Sequence, residues 1–89
     1  MEDSAASDRL LPLGLVAPGE TVAVHQIRGG RELRQRLFDL GLHPGAHIRV
    51  VKNEHLGPLI IAVKRDGRLA LGRGMGHKII VTLHPNGDR

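Results

Sequence analysis

Six histidines, at positions 25, 43, 47, 55, 77 and 84, are the residues of this 89-residue chain best suited to hold a transition metal. Imidazole suits Zn, Ni and Fe, but a site needs several donors converging on one point. His43 and His47 have the i, i+4 spacing that places two rings on one helix face. Pro44-Gly45 separates them, so no helix runs through the pair. Glu54-His55 falls in a polar turn and offers a donor pair that could bridge two molecules through an adventitious Zn or Ni ion. His43, His47, Glu54 and His55 are therefore candidates for surface capture, and no dedicated intramolecular metal site is expected.

Covalent and acid–base chemistry is as poorly provided for. There is no Cys, hence no disulfide framework, thiolate site or thiol nucleophile. The only serines are Ser4 and Ser7, in an acidic and polar N-terminal stretch. The body has no two carboxylates close in sequence and no Gly-x-x-x-x-Gly-Lys-Ser/Thr loop for a nucleoside triphosphate. Gly72, Gly74 and Gly76 cluster without opening a long helix, so they read as a turn and not as a dinucleotide fingerprint. The chain is expected not to be an enzyme.

Charge is the stronger signal. Between Glu20 and Leu83 there are eleven Lys and Arg against five acids, a body near +6 inside a chain of formal charge +4. A basic body suits an anionic partner: nucleic acid, lipid headgroups or an acidic protein face. Phe38 is the only aromatic residue, so bases have no stacking platform. A small basic nucleic-acid-binding barrel stays as the alternative, limited to phosphate contacts, and no nucleic acid is expected. No apolar run approaches the roughly 18–20 residues of a membrane span, and the N-terminus is unlike a signal peptide. The expected location is the cytoplasm, with no membrane insertion.

The elements that must position these groups are short. Leu33, Leu37 and Leu40 recur at i, i+4 and i+7 and predict one helix over about Arg31 to Leu40, stopped by Gly41 and Pro44. The leucine seam must be covered, because so short a helix is marginal alone in water. Phe38, offset from the seam, is expected in the core, with an exposed anchor as the alternative. Asp39 is expected to pair with Arg36. Strands are predicted over 21–27, 46–52, 59–64, 68–71 and 78–83 from alternating or β-branched runs. Asp66-Gly67 is the strongest hairpin signal, and residues 10–16, broken by Pro12 and Gly14, read as an extended edge or irregular plug. Residues 1–9 and 85–89 read as tails, the first disordered, around one domain over 10–84. Five short strands in so few residues predict a mainly β fold. It is a small β-barrel with one α-helix inserted after the first strand.

Several stretches together resemble the ferrous iron transport protein A (FeoA) family. They are Leu-Gly-Leu-Val-Ala-Pro-Gly-Glu (13–20), Arg-Gly-Gly (28–30), Arg-Gln-Arg-Leu-Phe-Asp-Leu-Gly-Leu-His-Pro-Gly (34–45), Gly-Pro-Leu-Ile-Ile-Ala-Val (57–63), Arg-Leu-Ala-Leu-Gly-Arg (68–73) and Lys-Ile-Ile-Val (78–81). The same barrel resembles the C-terminal domain of iron-dependent repressors. The resemblance implies an SH3-like barrel. It also implies a non-enzymatic cytoplasmic accessory, a regulator acting with a membrane ferrous-iron permease that carries a GTPase domain, peripheral to the inner membrane through that partner. The family tends to place alanine in a short helix where this chain has Gly74-Met75-Gly76, so a looser turn is expected there. The expected partner-binding residues are Arg31, Arg34, Arg36 and Asp39 on the helix, with Arg73 and Met75 in the glycine-rich turn. No cofactor is expected to be required. Surface-bound Zn²⁺ or Fe²⁺, as in a carrier or sensor, is the alternative, and a weak homodimer through an exposed hairpin edge is a further expectation.

Overall fold

Apolar residues spaced two apart give most of this chain a strand with one face for the core. The computed structural model describes residues 9–54, 56–63 and 67–83. Strand β1 (Leu10–Pro12) leads into a 3-10 turn (Leu13–Leu15), then β2 (Thr21–Ile27) and helix α1 (Arg31–Asp39). Three strands follow, β3 (His47–Asn53), β4 (Leu59–Val63) and β5 (Gly67–Leu71). A single helical turn, α2 (Arg73–Gly76), precedes the last strand, β6 (Ile79–Thr82). The strands form one antiparallel sheet in the order β1-β6-β2-β3-β4-β5.

The segment expected as an extended edge adds a sixth strand to the five predicted. Leu10–Pro12 pairs with β6, Leu11 opposite Val81. Pro12 is tolerated because β1 lies at the sheet edge, where a missing N–H breaks no inner ladder. The plug that was expected of this segment forms directly after it, with Leu13 and Val16 at 0% and 1% exposure. At the other edge β4 and β5 pair with Val63 opposite Gly67. The connection carrying Asp66 lies outside the described residues, as do 1–8, 84–89 and His55.

One core serves the whole sheet. Val22, Val24, Ile27, Ile48, Val50, Leu59, Ile61, Val63, Leu71, Ile79 and Val81 belong to a single buried cluster, so even the edge strands bend around a common centre. Register shifts in β2 between Val24 and Gln26, and in β3 between Val50 and Lys52, mark bulges that increase local twist. The first also resets the alternation, so that Ile27 and not Gln26 is buried.

Helix α1 ends by a Schellman motif. Gly41 N–H donates to Phe38 O at 3.0 Å and Leu42 N–H to Leu37 O at 2.8 Å, with Gly41 at φ +93°. A side chain at that φ is strained, which explains the glycine. The reversal carries Leu42 into the core at 0% exposure, beside Leu37 at 3%. Leu40 stays 48% exposed. The expected seam of Leu33, Leu37 and Leu40 is therefore corrected to half-buried Leu33, buried Leu37 and then Leu42, because the helix stops one residue early and the chain turns back.

Gly76 of α2 is also explained by packing. A Cβ on Gly76 would stand 3.2 Å from Leu59 Cδ2 and 3.3 Å from Gly14 Cα. The 3-10 turn and α2 approach each other where only glycine fits without displacement. The turn keeps its hydrogen bonds, including Gly76 N–H to Gly72 O at 3.1 Å and Lys78 N–H to Met75 O at 2.9 Å. The looser turn anticipated from Gly74-Met75-Gly76 is replaced by a closed one.

Candidate partner-docking face

Helix α1 carries three arginines, and the turn of about 100° per residue decides which of them share a face. Leu33 and Leu37 mark the inward side. Arg31, Arg34 and Phe38, at i, i+3 and i+7, fall on one outer stripe, while Arg36, Asp39 and Glu32 fall on the other flank. All six are exposed. Phe38, expected in the core, retains 58% of its surface. It lies too far around the helix from Leu33 to reach the core that Leu37 enters. Its ring centroid is 5.1 Å from that of His43, tilted by 41°, and His43 Nδ1 donates to Pro44 O at 3.1 Å. The result is an exposed aromatic at the C-terminal end of a helix stripe that also carries Arg31 and Arg34, with exposed Leu40 two residues on in sequence.

Asp39 does not take the partner expected of it. Its Oδ1 accepts a hydrogen bond from Gln35 Nε2 at 3.1 Å, one turn back, in place of Arg36. Arg36 in the last turn and Glu32 in the first both complement the helix dipole.

Arg73 and Met75 sit elsewhere, in α2. Arg73 is half-buried: Nη1 donates to Glu54 O at 2.6 Å and to Gly57 O at 3.1 Å, and Nη2 donates to Asn53 Oδ1. Asn53 Nδ2 passes the connection on, donating to Gly14 O at 3.0 Å and Val16 O at 2.8 Å. One Arg–Asn pair thus ties the β3–β4 loop, α2 and the 3-10 turn together. Met75 packs half-buried against the core. The six residues singled out from the sequence are not brought together: Arg31 and Arg34 share a stripe, Arg36 and Asp39 lie beside it, and Arg73 and Met75 belong to another region. Phe38, for which the core was preferred to an exposed anchor, and Asn53 were missed as surface and connecting residues. The offset of Phe38 from the leucine seam was the available signal for the first. Nothing local marks Asn53, whose partners are 20 to 39 residues away.

The metal candidates are dispersed as well. His43 lies in the turn after α1 and His47 opens β3, exposed. Glu54 Oε2 is 3.7 Å from Lys52 Nζ at the surface, and His55 is outside the described residues. Among the described residues no group of three or more His, Asp or Glu could hold a metal ion. No helix among them is long and apolar enough to cross a membrane.

Comparison with known proteins gives this geometry a family. Residues 11–83 match the model of the FeoA domain. A Methanocaldococcus jannaschii protein with the provisional name Fe(2+) transport protein A is 38% identical over 72 residues, 81% of this chain and 85% of that protein. Among solved structures, an iron uptake regulatory protein (FeoA) is 38% identical with a TM-score of 0.77, covering 83% of this chain and 97% of its own. Stenotrophomonas maltophilia FeoA complexed with zinc, described as a prokaryotic SH3 domain protein, is 21% identical with a TM-score of 0.68, covering 80% of this chain and 88% of its own. At that identity it speaks for the SH3-like fold alone. A family match across nearly every described residue, on an SH3-like sheet with its one longer helix after the second strand, makes this chain a member of the FeoA family.

Proposed function

We propose that the chain is a non-enzymatic accessory of ferrous iron uptake that docks on a membrane ferrous-iron permease with a GTPase domain, at its cytoplasmic side, through the outer stripe of α1. The observation that carries this reading is the exposed Phe38 on one helix stripe with Arg31 and Arg34. The exposed part of the ring contributes nothing to the monomer while it stays in water, yet aromatic and arginine side chains dominate binding energy when a partner covers them. Two guanidiniums beside an apolar ring fit an acidic, amphipathic surface, and long-range attraction by the basic body would speed the encounter. The names of the relatives, Fe(2+) transport protein A and iron uptake regulatory protein, supply the transport setting. No resident cofactor is needed for such a role.

The experiment is a pull-down and titration with the cytoplasmic domain of the permease. Phe38→Ala and the double variant Arg31→Glu/Arg34→Glu should each weaken binding by about 2 kcal/mol, roughly 30-fold in Kd. Equal retention of the wild type and both variants would rule this face out.

A further inference from the structure

A second surface owes nothing to α1. The 3-10 turn, the end of β3 and α2 enclose an open cleft of about 510 Å³ lined by Gly14, Leu15, Asn53, Arg73 and His77. That size lies within the range of small-ligand sites. Arg73 has five N–H donors and spends three of them on Glu54 O, Gly57 O and Asn53 Oδ1. All three acceptors are neutral. Among the described residues nothing accepts from Nε–H or from the second hydrogen of Nη2, and guanidinium N–H donors of this kind grip carboxylates, often bidentately. Glu54, whose carbonyl Arg73 holds, has its carboxylate beside Lys52 at 3.7 Å. Among the described residues no carboxylate forms an ion pair with Arg73. The cleft wall therefore carries a rigidly held positive charge that no carboxylate among the described residues meets, a condition that a bound anion relieves.

The other walls narrow the ligand. His77 is exposed and brings one more polar ring edge. Leu15, 64% exposed, lays an apolar surface beside the charge. A single fork with an apolar wall suits one negative charge on a greasy body better than a multiply charged phosphate, which is matched by clusters of donors. We propose that this cleft binds a carboxylate carried on a short branched apolar body, with the carboxylate on Arg73 and His77 and the body against Leu15. Both a free organic acid and the C-terminal residue of another chain have this chemistry.

The test is an amide-shift titration of the ¹⁵N-labelled protein with 4-methylpentanoate and with 4-methylpentanamide, which has the same shape without the charge. The acid should move the amides of Gly14, Leu15, Gly74 and His77 in a saturable way, and the amide should bind at least about tenfold more weakly. His77→Gln and Leu15→Ser, which leave the Arg73–Asn53 hydrogen bonds intact, should each raise Kd for the acid by roughly threefold or more. An N-acetylated tripeptide ending in free leucine forms the second arm. Tighter binding of the peptide than of the free acid assigns the site to a chain terminus, and the reverse assigns it to a small acid. Equal behaviour of acid and amide, or no saturable shift with acid or peptide, overturns the proposal and leaves Arg73 with the fold alone. Neither result bears on docking through α1, which the pull-down decides separately.

Discussion

The arginines of α1 and the arginine of α2 do opposite work. Arg31, Arg34 and Arg36 stand in water on a helix that is seated by Leu37 and, past the Schellman turn, by Leu42. Among the described residues none of the three makes a side-chain hydrogen bond or ion pair. Arg73 is half-buried and joins three chain segments through backbone oxygens and Asn53. The 3-10 turn and α2 meet backbone to backbone at Gly14 and Gly76, so at that contact no side chains interlock as Leu37 and Leu42 do beneath α1. Where side chains are too small to interlock, a hydrogen-bonding fork takes over. A count of basic residues therefore does not measure a binding surface: two arginine-bearing helices divide into one whose arginines stand in water and one whose arginine is committed to the monomer.

Four substitutions would break or sharpen this contrast. The largest effect belongs to Leu37→Ala, which removes the seat of α1 and should destabilise the fold by about 3 kcal/mol in denaturant unfolding. A value near zero would mean that α1 is not anchored by its leucines. Next is Arg73→Ala, which leaves Glu54 O, Gly57 O and Asn53 Oδ1 without their donor. We expect about 2 kcal/mol lost and faster hydrogen exchange at Gly14, Val16 and residues 56–57. Gly76→Ala should have a smaller effect. The gain in helix propensity, about 0.5–1 kcal/mol, opposes a methyl pressed against Gly14 Cα, and the net loss expected is about 1 kcal/mol by the thermal midpoint. A gain in stability would show that the 3-10 turn can yield. The smallest change in stability is predicted for Arg34→Ala, within about 0.5 kcal/mol of the wild type, while partner binding falls. If Arg34→Ala were to unfold the protein as readily as Arg73→Ala, the division between the two regions would be lost.

Much of the α1 region could be read from the chain. The leucine spacing, Gly41 and Pro44 are local signals, and they give the helix and its stop to within a residue. The reading failed at Leu40 and Phe38 because helical spacing names an apolar seam without saying how many turns of it the sheet covers. That depends on where the Schellman turn sends Leu42. The α2 region was barely readable. Its glycines looked like slack, and Arg73 looked like another outward charge. Gly76 is dictated by Gly14, 62 positions earlier, and Arg73 by carbonyls 16 and 19 residues away. Neither relation has a local signature.

Alternation of β-branched and aliphatic residues, the placement of turn glycines and the surplus of Lys and Arg belong to the amino-acid order itself. They are enough to determine a basic, mainly β barrel with a single well-marked helix, because each acts over a few residues through backbone sterics and burial. Which arginines stay in water and which are drawn into the fold was decided only in three dimensions. That outcome depends on which distant carbonyls the curled sheet brings within hydrogen-bond reach of a guanidinium, and no short stretch of chain contains that distance.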